Sequence, residues 1–145
     1  MSEYRVPRED MQFVLQDVFQ VDKDWAESDT LAELDMETAF AIIDEGAKLA
    51  ESLIAPLARA ADEEGVSFDN GTVTTPTGYK ENFQQLAAGG WVGVTANPEF
   101  GGMGLPKSVS AQYEEMLCAA DISFSLYPGL TAGAIMTIDQ HADST

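Results

Sequence analysis

Cationic residues are scarce. Seven Lys and Arg stand against 25 Asp and Glu in 145 residues, a formal charge of −18. A surface of that sign repels nucleic acid and anionic lipid, so neither is an expected partner. A phosphate-bearing ligand must therefore find local cations, here or on another segment. Cysteine occurs once, at Cys118, which excludes an internal disulfide. It sits in the apolar stretch Met116-Leu117-Cys118-Ala119-Ala120 and is expected to be a buried, inert thiol. Histidine also occurs once, at His141. One Cys and one His make neither a zinc site, which takes three or four ligands, nor an expected nucleophile pair. No metal is expected. The first ten residues hold no apolar signal-peptide core, so a cytoplasmic location is expected. Internal repeats and low-complexity tracts are lacking.

Long apolar runs are nearly lacking too. Residues 122–138 carry no charge, and Gly129 and Gly133 form a GxxxG spacing. Ser123, Ser125, Pro128, Thr131 and Thr137 keep the run only moderately apolar, and it falls short of the usual ~20-residue span. It reads as a helix inside a soluble protein, with no membrane span. Its glycines would lie where another backbone or a ligand comes close.

What is present suits one domain with a real core: 45% of residues are apolar. Met11, Val14, Leu15, Val18 and Phe19 recur at helical spacing and predict a first helix from near Asp10. Residues 21–34 are acidic and read as a connection anchored by Trp25. The strongest helix covers residues 35–64, with Phe40, Ile43, Ala47, Ala50, Ile54 and Leu57 as its stripe. Asp35 can cap it, and Pro56 should kink or break it. Asn70-Gly71 between Phe68 and Val73 predicts a small hairpin. A short helix from Tyr79 ends at Gly89-Gly90. A glycine-rich loop spans residues 98–106, and helices over 107–120 and about 123–141 follow. The expected fold is all-α: a bundle of about five to six helices with a small hairpin or irregular insert near residues 66–77. Residues 1–34 would form an extension with one helix, and 35–145 the domain proper.

Two segments could carry chemistry. The loop Asn97-Pro98-Glu99-Phe100-Gly101-Gly102-Met103-Gly104-Leu105-Pro106 could cradle an anion on its amides, or simply turn the chain between helices. It lacks the Gly-Lys-Ser/Thr of a phosphate loop and the strand–turn–helix frame of a dinucleotide fingerprint, which favours the turn. Around Tyr127-Pro128-Gly129-Leu130, either the helix starts with Pro128 in its first turn or the backbone is bent. Ser125, Gly129, Ala132 and Gly133 would then leave room for a ligand chain, or pack tightly on another helix. No catalytic acid or base stands out. The adjacent pairs Glu114-Glu115 and Glu63-Glu64 point different ways on a helix and read as solvated.

The ordered set Ala55-Pro56-Leu57, Asp62-Glu63-Glu64-Gly65, Gly89-Gly90-Trp91-Val92-Gly93, Pro98-Glu99-Phe100-Gly101-Gly102-Met103-Gly104-Leu105-Pro106 and Tyr127-Pro128-Gly129-Leu130-Thr131 resembles the N-terminal region of acyl-CoA dehydrogenases. It is most similar to the subgroup of the methylthiopropanoyl-CoA and related long-chain enzymes. The resemblance implies an FAD-dependent flavoprotein oxidoreductase of fatty-acid metabolism that oxidises the α,β bond of acyl-CoA thioesters. It implies a helical N-terminal domain, then a β domain and a C-terminal helical domain that carry FAD and the catalytic carboxylate. No catalytic residue carries over to this chain, which is expected to be inactive alone. Acyl-pocket lining does carry over, with Phe124, Ser125, Pro128, Gly129 and Ala132 as the candidates: Phe124 would bound the acyl chain, while Ser125, Gly129 and Ala132 would give it space. Implied partners are acyl-CoA, electron-transfer flavoprotein or another acceptor, and further copies of the chain. A non-catalytic helical subunit, or an acyl-CoA oxidase or flavin monooxygenase of the same architecture, would share these features.

Overall fold

Asp35 starts the central helix. Its carboxylate accepts the Thr38 N–H at 2.7 Å, and the backbone N–H holds the carboxyl below its usual range. The computed structural model describes residues 4–142. Helices α1 (Arg8–Phe13), α2 (Val21–Ala26), α3 (Met36–Leu49), α4 (Ala58–Glu64), α5 (Tyr79–Ala88), α6 (Lys107–Ala120) and α7 (Ile122–His141) dominate it. Strands β1 (Ser67–Asp69) and β2 (Thr72–Thr74) pair antiparallel with Phe68 opposite Val73. The fold is mostly α with one hairpin, as the patterning predicts. Asn70 (φ 46°) and Gly71 (φ 84°) supply the two left-handed residues of the tight turn.

Seven helices appear among the described residues, rather than five or six, for two reasons. Within the connection, the short helical turn that its sequence allows is the helix α2 at residues 21–26, because buried Val21 and Trp25 fall four apart on one face. Pro56 divides the long helix. Ala50–Ile54, which ends two positions before it, forms a π-helical turn in which the Ala55 N–H reaches back to the Ala50 carbonyl. A second π turn, Val14–Val18, follows α1. Its wider pitch breaks the 3.6-residue period, so Met11 and Leu15 face the core while Val18 and Phe19 turn to solvent.

The core sits where α6 lies on α3 and its π turn. Ala39, Ala47 and Ala50 are fully buried and let the backbones approach; Ile43 and Ile54 fill the gaps against Val109, Met116 and Leu117. Trp25 anchors α2 by donating its Nε1–H to Ser108 Oγ at 3.2 Å.

The N-terminal segment is strapped to the central helix through one carboxylate. Glu51 accepts the Val6 N–H at 2.8 Å and both terminal nitrogens of Arg8, at 2.8 and 3.2 Å, and Arg5 lies 3.4 Å away. These donors, Arg8 first, pull its pKa from 4.5 to about 2, against the effect of burial. The folded value lies below the unfolded one, so the stabilisation is complete above pH 4.5 and is lost as pH falls toward 2. Glu51→Gln is therefore expected to cost about 2 kcal/mol at neutral pH. In denaturant titrations, the gap between wild type and variant should narrow between pH 5 and pH 3. A gap independent of pH would show that the carboxylate charge contributes nothing.

Candidate functional site

Asp121 sets up the site. It separates α6 from α7, and its Oδ1 accepts the N–H groups of Ser123 (3.0 Å) and Phe124 (3.2 Å). This cap starts the last helix at Ile122, so Pro128 lies inside the helix and not in its first turn. The other oxygen of Asp121 accepts the buried Tyr79 hydroxyl at 2.6 Å. Burial and the neighbouring carboxylate both push the Tyr79 phenol well above its usual pKa, so it remains a donor. Phe124 meets Tyr79 edge-on at 5.2 Å, and Tyr127 does so at 5.9 Å. One face of the first turns of α7 is thus locked onto α5.

The other face borders a cleft of about 640 Å³, within the range of small-molecule sites. Its α7 wall includes Ser125, Pro128, Gly129, Ala132 and Gly133; Trp91 and Tyr113 stand among the residues lining the rest. A Cβ built on Gly129 or Gly133 meets nothing within 4 Å. The glycines therefore face open space, and do not serve tight helix packing. Of the five residues singled out for acyl binding, the fold brings Ser125, Pro128, Gly129 and Ala132 to the cleft. Phe124 turns away from it and is 1% exposed, in the aromatic cluster with Tyr79.

Cys118 is exposed and borders the cleft, where its thiol donates to Ser125 Oγ at 3.4 Å. The expectation of a buried thiol fails because α6 buries the side carrying Tyr113, Met116 and Leu117, and Cys118 lies on the flank beside α7. Asp121 is the residue that sequence reasoning passed over. Its signal was an Asp directly before a charge-free apolar run, an ordinary helix-start pattern.

Tyr113 is the chemical anomaly. It is 5% exposed, stacks at a tilt on Trp91 with centroids 4.9 Å apart, and its hydroxyl has no partner. Leaving such a group unsatisfied costs about 1–3 kcal/mol. Desolvation pushes its pKa up, so the phenol stays neutral. The other two buried or half-buried phenols are satisfied: Tyr79 by Asp121, and Tyr4 by the Met116 carbonyl at 3.4 Å.

The glycine-rich loop is a structural turn. The amides of Phe100 and Gly102 donate to the Asn97 carbonyl, Gly101 to Pro98, Met103 to Gly93, Gly104 to Ala96 and Leu105 to Val94. Asn97 Oδ1 takes the Glu99 N–H. No amide from residue 99 to 105 is left to cradle an anion. The cleft's cation, Lys107, is paired with Glu114. The loop thus offers no free amide, and the cleft no unpaired cation, to a flavin diphosphate. Among them no cluster of three or more His, Cys, Asp or Glu could hold a metal, and no helix is long and apolar enough to cross a membrane.

Comparison with known proteins gives this arrangement a context. The family model for the acyl-CoA dehydrogenase N-terminal domain matches residues 36–145. The chain belongs to the acyl-CoA dehydrogenase family. It is 37% identical over 135 residues to the 3-methylmercaptopropionyl-CoA dehydrogenase of Ruegeria pomeroyi, covering 91% of this chain and 22% of that protein. It is 30% identical over 131 residues to the broad-specificity linear acyl-CoA dehydrogenase FadE5 of Mycobacterium tuberculosis, covering 89% of this chain and 21% of that one. The acyl-CoA dehydrogenase segment described here therefore spans about a fifth of the length of these relatives.

Proposed function

We propose that residues 35–145 supply one wall of the acyl-binding pocket in an FAD-dependent acyl-CoA dehydrogenase, with residues 1–34 as a strapped-on extension. The observation that carries it is the open small-residue face of Pro128, Gly129, Ala132 and Gly133 along the cleft. A hydrocarbon chain lying there leaves water and gains about 0.8 kcal/mol per buried methylene. It needs no polar partner from α7, which suits the uncharged residues from Ser125 to Met136; Asp139 lines the cleft further along the helix. Ser125 Oγ donates to the Ile122 carbonyl at 2.7 Å, so its hydroxyl is occupied within the helix. This chain's contribution is to bind and orient the acyl group and to exclude water from it. Flavin, proton-abstracting carboxylate and most CoA phosphate contacts are assigned to the domains that make up the rest of the relatives' length. Those domains would also cover Ile122, Leu130 and Ile138, which α7 exposes.

Gly129→Leu tests the assignment in the protein extended by those domains. The new side chain enters open space on a helix, so it does not disturb the free fold and raises stability by about 0.5–1 kcal/mol. It should lower kcat/KM at least tenfold for long acyl chains, and much less for short ones, because overpacking grows with the chain that must share the cleft. Equal losses at all chain lengths would remove Gly129 from the acyl site.

A further inference from the structure

Strands β1 and β2 stand away from the core, and all six of their residues are exposed. A two-stranded hairpin with water on both faces is marginal, and each of its strands is an open edge. The turn fixes which backbone groups are free. Asn70-Gly71 is a two-residue loop, so Asp69 and Thr72 beside it form a hydrogen-bonded pair, and so do Ser67 and Thr74. Phe68 and Val73, between those pairs, turn their N–H and C=O groups outward. Their side chains share one face and are 72% and 61% exposed.

Edges of this kind are usually blunted by charge. Here residues 70–79 hold no charged residue, in a chain that carries −18. Thr72, Val73, Thr74 and Thr75 are strand formers instead, and Pro76 ends the run. Glu64 reaches this segment, but it is taken up by the N–H and hydroxyl of Thr77.

We propose that β2 pairs with β2 of a second copy of the chain, antiparallel about a twofold axis at Val73. The two Val73 residues then exchange both backbone bonds, and Thr72 of each copy faces Thr74 of the other. The sheet becomes four-stranded, in the order β1-β2-β2-β1, with Phe68 and Val73 of both copies along one face. Charge selects this occupant. A basic strand would find no carboxylate among residues 70–79, whereas a copy brings an edge as uncharged as this one. Elsewhere the negative surface repels a copy. Strands this short bury less than the roughly 800 Å² per partner of a standard interface, so the contact is weak alone and acts where copies are concentrated or already held together. It is independent of the acyl cleft.

Disulfide trapping in the full-length protein tests the pairing and its register, with Cys118 and any other exposed cysteine replaced by serine. A Thr72–Thr74 pair across the axis sets its Cα atoms about 4.5 Å apart, within the span of a disulfide. Two Thr72 residues, or two Thr74 residues, lie diagonally, beyond the ~7 Å that a disulfide bridges. Under mild oxidation, mixed Thr72→Cys and Thr74→Cys proteins should therefore link at least about tenfold faster than either alone. Val73→Lys in both should cut trapping about tenfold, because like charges then oppose each other across the axis. Val73→Lys in one and Val73→Glu in the other should restore it. Val73 is exposed, so each variant should keep the wild-type Tm. Equal rates in every combination would mark random collision and overturn the proposal. So would trapping indifferent to Val73→Lys, or no trapping up to millimolar protein, which would leave the edge to a different segment or protein.

Discussion

Gly102→Ala is expected to destabilise the protein by about 3 kcal/mol or more, lowering Tm by roughly 10 °C. An added Cβ would stand 2.1 Å from the Ala96 carbonyl oxygen and 2.3 Å from its carbon. These are backbone atoms, and no rotamer change relieves them. To make room, residues 96 and 102 must separate. That breaks the bonds that close the loop: Gly102 N–H to Asn97, Gly104 N–H to Ala96 and Leu105 N–H to Val94, at 2.9–3.1 Å. The loop delivers the chain into α6, and Ala96 and Asn97 border the cleft, so the cleft should open as well. Gly101→Ala is the control. Gly101 has φ 86° but nothing within 4 Å, so alanine there meets only the left-handed penalty of about 1 kcal/mol. Chemical denaturation of the two variants separates crowding from backbone strain. Equal costs would show that the Gly102 contact relaxes freely.

Asp121→Ala should cost a similar amount, about 3 kcal/mol. Two effects add. The first turn of α7 loses its cap, worth about 1 kcal/mol. The Tyr79 hydroxyl, buried and accepted only by Asp121, is left unsatisfied at about 1–3 kcal/mol. Tyr79→Phe alone should cost about 1 kcal/mol, since the hydroxyl and its partner bond disappear while the ring stays on Phe124. In the Asp121→Ala background the same change should be neutral or stabilising, because it removes the orphan. A double-mutant cycle measures this coupling directly. If Tyr79→Phe costs the same in both backgrounds, the two residues act independently and the described network is not what holds α7 to α5.

Much of the architecture was legible because local chemistry dictated it. The Ile43–Ile54 stripe, the Asp35 cap, the Asn70-Gly71 hairpin and the inward set Val109, Tyr113, Met116 and Leu117 each follow from spacing or from one residue's backbone preference. The misreadings share a cause. Val18 and Phe19 fit a helical stripe with Met11 and Leu15, yet a π turn shifts their phase and exposes them. Periodicity assumes a constant pitch, and an extra residue in one turn is invisible to it. Cys118 looked buried because its sequence neighbours are apolar, but each residue on a helix is turned 100° from the one before, and the step past Leu117 carries the thiol off the buried side. The opposite ambiguity attached to the glycine-rich loop. Only the hydrogen bonds of its amides distinguish an anion cradle from a turn, and those bonds join residues whose pairing no spacing encodes.

Taken alone, the sequence determined the helical class, the position of nearly every element and the resemblance to acyl-CoA dehydrogenases. It also determined the scarcity of cations that turns any phosphate contact toward other segments. Those properties reside in composition, period and order, which survive without coordinates. Tertiary structure decided the rest. It turned Ser125, Pro128, Gly129 and Ala132 toward one cleft and Phe124 away from it, and it left Tyr113 buried without a partner. The reason is that a helix has many sides, and only packing against α5 and α6 selects which of them faces the empty space. The charge-free run at residues 122–138 is the clearest instance: its sequence permitted a buried helix, and packing made one flank of it core and the other the wall of a cleft.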